Sequence, residues 1–149
     1  MAVPRPSSAP NNRKTSGPGS LGLKKGKVLS LVKVLQGGLS FATFLRFQRN
    51  SGLSPEQITK VLRIPPRTLA RRKVSGALTT SESERLVRLA SLFDKAVDLF
   101  EGNRGAARDW LQAPNKALGN QPPLTLAETE IGGREVEDLI GRLEYGVYS

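Results

Sequence analysis

Residues 53–76, LSPEQITKVLRIPPRTLARRKVSG, decide the fold. Ser54 stands where a helix N-cap is needed, and Pro55 follows at the first helical position, where a missing N–H costs nothing. Gln57 lies three residues past the cap, placed to return its side chain to the backbone as a capping box. Leu53 and Ile58 flank these residues as the two halves of a hydrophobic staple. Ile58, Val61 and Leu62 then face a core. Ile64-Pro65-Pro66 forces a turn, because the residue before a proline is driven out of the α region. Pro66 opens a second helix, Arg67 to about Val74, which Gly76 ends. Two short helices joined by a tight turn, the second one basic, predict a helix-turn-helix.

On a helix from 66 to 75, Arg67, Thr68, Arg71, Arg72 and Ser75 share one face, and Leu69 points back toward Ile58 and Leu62. Lys73 adds a cation from the flank. Guanidinium groups on such a face can read guanine edges bidentately or clamp phosphates. The pattern leaves open which cations do which. RNA fits less well, since the aromatics that stack on single strands are missing: Phe41, Phe44 and Phe47 read as core residues.

Outward from this pair, the rest of the chain is helical too. Val28, Leu31, Val32 and Leu35 recur at helical spacing until Gly37-Gly38. Ser40 caps the next helix, with Leu39 set to pack on Phe44, and Gly52 closes it. Residues 80–101 form the longest helix, with Leu86, Leu89, Ala90, Phe93, Val97 and Phe100 on one stripe and Asp94, Asp98 and Glu101 on an opposite, acidic face. A short helix at 104–112 carries Ala106, Ala107, Trp110 and Leu111, with Trp110 expected in the core; Pro114 stops it. Residues 113–128 are rich in turn formers, with one short helical turn near 123–128. A last helix, about 130–145, has the stripe Val136, Leu139, Ile140 and Leu143, with Arg134/Asp138 and Asp138/Arg142 as i,i+4 pairs. Gly132-Gly133, near its start, costs helix propensity and points to a close backbone approach. No period-two pattern persists, so the expected class is all-α.

Charge divides the chain. Residues 28–76 hold nine Lys/Arg against one acid, Glu56, whereas residues 77–149 hold eight against twelve. The first 27 residues carry six more cations and no acid among Pro, Ser, Gly and Asn, and read as a disordered basic arm. The basic half suits a polyanion, because neutralised phosphates release counterions. Cysteine and histidine are both absent, which removes disulfides, thiolate and imidazole metal sites and the commonest general base. No apolar run approaches the length of a membrane span, and no secretory signal is expected. A cytoplasmic binding protein without cofactor or metal is the expectation. An enzyme would have to rest on carboxylates such as Glu101 and Asp109, whose geometry nothing fixes.

The ordered set Thr68-Leu-Ala-Arg-Arg-Lys73, Glu82-Ser-Glu-Arg-Leu86, Ala106-Ala-Arg-Asp-Trp-Leu-Gln-Ala-Pro-Asn115, Ala117-Leu-Gly119, Pro123-Leu124 and Gly133-Arg-Glu-Val-Glu-Asp-Leu139, followed by Gly141-Arg-Leu-Glu-Tyr-Gly146, resembles the Xre/MbcA/ParS antitoxin family over about residues 28–149. One departure is Asn120, where the family continues with a second glycine. The resemblance implies the antitoxin of a type II toxin–antitoxin pair whose RES-domain toxin consumes NAD. It further implies a helix-turn-helix domain at 28–101 that binds promoter DNA, for which the basic face offers Arg67, Thr68, Arg71, Arg72 and Lys73. Helix-turn-helix readers pair across two half-sites, so a homodimer is expected, with the helix at 28–36 and the long helix as candidates for its contact. The small helical C-terminal domain at 102–149 would bind the toxin, with Arg142, Glu144, Tyr145, Gly146, Val147, Tyr148 and Ser149 entering or covering its cleft and Asn115 and Lys116 beside them. The competing expectation is a stand-alone repressor whose C-terminal part only dimerises.

Overall fold

The computed structural model describes residues 19–21 and 28–146, and for residues 28–30 the backbone alone. Among the described residues the protein is all-α. Its helices are α1 (Val28–Gly37), α2 (Phe41–Ser51), α3 (Pro55–Leu62), α4 (Pro66–Ser75), α5 (Thr80–Leu99), α6 (Arg104–Gln112), α7 (Pro123–Leu126) and α8 (Glu130–Glu144), with 3-10 turns at Gly19–Leu21 and Lys116–Leu118. None of these helices is long and apolar enough to cross a membrane.

The caps form where side-chain chemistry puts them. Ser40 accepts the Thr43 N–H at 3.2 Å. At α3 the box closes both ways: Ser54 Oγ accepts the Gln57 N–H at 3.1 Å, and Gln57 Oε1 accepts the Ser54 N–H at 2.9 Å. Both staple residues, Leu53 and Ile58, are buried. A second capping box, Thr79 with Glu82, starts α5.

α5 is the central element and packs against α1, α2, α3, α6 and α8. Phe47 of α2 meets Phe93 of α5 edge-on, with centroids 6.0 Å apart and planes at 88°. Phe41, Phe44 and Phe47 are all buried, and Trp110 is half-buried against Phe100. One hydrophobic cluster runs from Leu21 to Ile140, so residues on either side of the 101/102 boundary share a core.

Three expectations are corrected. The disordered arm assigned to residues 1–27 does not hold at Gly19–Leu21. Leu21 is fully buried, the Asn50 amide donates to the Ser20 carbonyl at 2.8 Å, and the Ser20 N–H reaches Asp94 Oδ2 at 3.4 Å. A single leucine side chain, by leaving water, anchors the turn; the remainder of residues 1–27 lies outside the described residues. Asp94 therefore leaves the acidic face and sits half-buried beneath that turn. Burial pushes its carboxyl above the ordinary value, against the lowering effect of the Ser20 hydrogen bonds. Finally, Arg134 pairs with Glu130 at 2.8 Å instead of Asp138. Glu130 lies one turn before it at the helix start, where an acid also meets the helix dipole.

Candidate functional site

No residue of α4 is buried. The helix is held at a few points instead. Leu69, half-buried, packs against the core. Beyond α4, the Phe41 N–H donates to the Gly76 carbonyl and the Leu78 N–H to the Leu39 carbonyl, each at 2.8 Å, which ties its end to the start of α2. On the other side, Arg63 takes the left-handed conformation (φ 58°) in the turn between α3 and α4. Arg85 reaches the Leu62 carbonyl at 3.3 Å, which fixes the end of α3.

The third tether is Arg72. Its Nε donates to Glu82 Oε1 at 2.8 Å and its Nη2 to Glu82 Oε2 at 3.2 Å, a bidentate pair. Glu82 Oε1 also accepts the Thr79 N–H at 2.9 Å, so one carboxylate starts α5 and grips α4. Burial pushes Glu82 upward, but the bond from Arg72 and those to Thr79 outweigh it and hold the carboxyl below its ordinary value. The same bond raises Arg72. Structurally, then, Arg72 is turned from the outward face toward α5.

What α4 leaves outward is Arg67, Ala70, Arg71 and Val74, all exposed at the spacing of one helical face. Among the described residues, Arg67, Arg71 and Lys73 have no acid within 4.0 Å. Thr68 is half-buried, and its hydroxyl accepts Arg71 Nη2 at 3.4 Å, which steers that guanidinium. The sequence pattern centred the outward face on Arg67, Thr68, Arg71 and Arg72, because it counted Arg72 as outward, whereas the exposed face is Arg67, Ala70, Arg71 and Val74. The signals were present: Thr79 and Glu82 spell a capping box, and the bulk of Leu69 fixes the inward direction.

The C-terminal candidates sit differently. α8 buries Val136, Leu139 and Ile140. Its start lies so close to the α7 turn that a Cβ on Gly132 would collide with the Leu126 carbonyl, which accounts for a glycine there. The opposite stripe, Ile131, Glu135, Asp138, Arg142 and Tyr145, is exposed, with Ile131 at 77% and Tyr145 at 72%. Glu144 is half-buried and Gly146 exposed. Val147, Tyr148 and Ser149 lie outside the described residues.

Asn115 uses its side chain locally, with Oδ1 accepting the Ala117 N–H at 2.9 Å; Lys116 is exposed on the turn that packs against α8. Gly119 and Asn120 both adopt positive φ (65° and 64°), so the departure from a glycine pair falls where asparagine is the best-tolerated alternative. Among the described residues no cluster of three or more acids could hold a metal ion. Lys60–Glu128, Arg88–Glu130 and Lys95–Glu137 run from α3 and α5 to the acidic C-terminal region, at 3.9, 4.0 and 2.8 Å.

Two family descriptions match in succession: "Antitoxin Xre-like helix-turn-helix domain" over residues 30–91 and "Antitoxin Xre/MbcA/ParS C-terminal toxin-binding domain" over residues 95–146. A protein of Yersinia enterocolitica named Antitoxin Xre is 40% identical over 87% of this chain and 88% of its own. The chain belongs to the Xre antitoxin family. A Photorhabdus laumondii Antitoxin Xre is 34% identical over 78% of this chain and 79% of its own, and one from Pseudomonas putida is 28% identical over 73% and 67%. As an Xre-family member the chain is a binding protein rather than an enzyme. Its helix-turn-helix region takes in α2 to α4, and its toxin-binding region runs from the end of α5 through α8.

Proposed function

We propose that this Xre-family antitoxin neutralises a RES-domain, NAD-consuming toxin by covering its active site with the C-terminal region, and represses its own operon by binding promoter DNA through α4. The observation that carries the DNA half is a ten-residue helix with no buried residue and two outward arginines that no acid among the described residues neutralises. A helix raised above the core in this way fits the major groove. Arg67, Arg71 and Lys73 meet DNA, Thr68 steers Arg71, and Arg72 sets the angle of α4 through Glu82.

For the toxin half, a cleft built to hold a dinucleotide pyrophosphate is basic, and the region of this chain after residue 77 is acidic. Arg142, Glu144, Tyr145 and Gly146, continued by Val147, Tyr148 and Ser149, enter that cleft, with Asn115 and Lys116 beside it. Ile131 extends the contact along α8 as an apolar anchor. A homodimer pairs two copies of α4 with two half-sites, and α1, which exposes Val32 and Val34, supplies a surface for it. No cofactor is required, and the cytoplasm holds both partners.

Co-expression with the neighbouring toxin reading frame tests both halves. Removing residues 142–149 is expected to release toxin activity and leave promoter binding in place, whereas Arg67→Ala with Arg71→Ala does the reverse. Neutralisation that survives the deletion overturns the toxin assignment.

A further inference from the structure

Two apolar side chains lie between the arginines of the outward face of α4. Ala70 and Val74 are exposed at the same helical spacing as Arg67 and Arg71, and Val74 is 88% exposed, the most exposed large apolar residue among those described. Packing does not account for it: at 88% exposure Val74 gives almost none of its surface to the core, and no residue of α4 is buried. Helix propensity argues against it as well, since a β-branched residue on a solvent-facing turn is a poorer choice than lysine, glutamine or alanine. Solubility would favour a polar residue there. A ligand that covers the face and offers apolar groups at this spacing removes all three objections.

Duplex DNA has one such group. In the major groove, thymine presents a C5-methyl, the only methyl group among the four ordinary bases there, and small apolar side chains pack on it. The flanking cations fit the same occupant, because a face bearing Arg67 and Arg71 with no acid within 4.0 Å is repelled by most basic surfaces and drawn to phosphates. Thr68 steers Arg71 from one side, while Arg72 is held against Glu82 away from this face.

We propose that Val74, with Ala70, reads thymine through its C5-methyl group, so that each half-site of the operator places thymines opposite these residues next to the bases or phosphates held by Arg67 and Arg71. This rests on the DNA-binding reading of α4 and adds the base that the helix selects.

The test uses the full chain. Duplexes are selected by the protein from a randomised pool, and each thymine of the selected site is then replaced by deoxyuridine, which removes the methyl and nothing else. One or two positions per half-site are expected to lose about fourfold in affinity, the equivalent of one apolar carbon returned to water. In Val74→Ala that penalty is expected to shrink toward unity at one of those positions, whereas Val74→Thr, which keeps one methyl, retains part of it. Val74 is so exposed that both variants are expected to melt as the wild type does. A protein that enriches no duplex sinks the DNA reading itself. One that enriches duplexes yet tolerates uracil everywhere, or keeps the wild-type penalty in both Val74→Ala and Ala70→Gly, overturns thymine recognition alone and leaves the DNA reading of α4 standing.

Discussion

α4 and α8 each carry an exposed stripe, yet they are attached to the molecule in opposite ways. α4 buries no residue and is held by half-buried Leu69, by hydrogen bonds around its ends and by the Arg72–Glu82 pair. α8 drives Val136, Leu139 and Ile140 into the core and is pinned at its start by the Gly132 contact. Each fully buried aliphatic side chain stabilises by about 1.5–3 kcal/mol, so α8 is bound mainly by water exclusion and α4 by a few directed polar contacts. The difference teaches where change is tolerated. The outward face of α4 can be rewritten while the core stays untouched. On α8 the exposed stripe sits on a helix whose other side is locked into the core, so a shift in one moves the other.

The largest effect should come from the buried side of that comparison. Ile140→Ala is expected to cost about 2–5 kcal/mol, the range for truncating a large aliphatic core residue. Leu69→Ala, half-exposed on α4, should cost about 1 kcal/mol, the centre of the distribution for single substitutions. Urea denaturation of the two variants checks this, and equal losses would break the contrast. Gly132→Ala is next, at about 1–3 kcal/mol of overpacking, because its new methyl meets the Leu126 backbone carbonyl. Gly141→Ala, in the same helix with nothing within 4 Å of the new methyl, should instead stabilise by up to about 1 kcal/mol through helix propensity. If both glycines respond alike, α8 is not pinned at its start.

Much of this was legible in the chain. Ser54-Pro55-Glu56-Gln57 gave away the start of α3 because capping is local chemistry, decided within four residues. The stripe Val136, Leu139, Ile140 followed from periodicity, and of the pair Gly132-Gly133 the first marks a close approach, by Leu126, while the second has open space around it. Facts that depend on distant partners were hidden. The capping box marked Glu82 as the start of α5, but it did not say that Arg72 would reach that acid across the turn, and nothing near Leu21 announces a slot between α2 and α5. Composition alone made Gly19–Leu21 look like the rest of its polar surroundings, since one leucine barely alters a window average.

The smallest predicted effect tests the tether of α4 directly, through two acids that respond to pH in opposite senses. Glu82 is held below its ordinary value in the folded protein, so its contribution is present above the unfolded value of about 4.3 and is lost as pH falls through the depressed folded one. Asp94 is raised by burial, so its contribution runs the other way: favourable at low pH, and lost as pH rises from about 3.9 through the raised folded value. Glu82→Gln keeps an acceptor for the Thr79 N–H and removes the charge that Arg72 grips. Its melting temperature should fall below that of the wild type at neutral pH, with the gap closing on acidification. Asp94→Asn keeps an acceptor for Ser20 without a buried charge, so it should melt slightly higher than the wild type at neutral pH, and that gap too should close in acid. A Glu82→Gln deficit that stayed constant across the acid range would mean the charge on Glu82 contributes nothing to holding α4. The helix would then rest on Leu69 and its end contacts alone, and its angle toward a partner would no longer depend on the acid that starts α5.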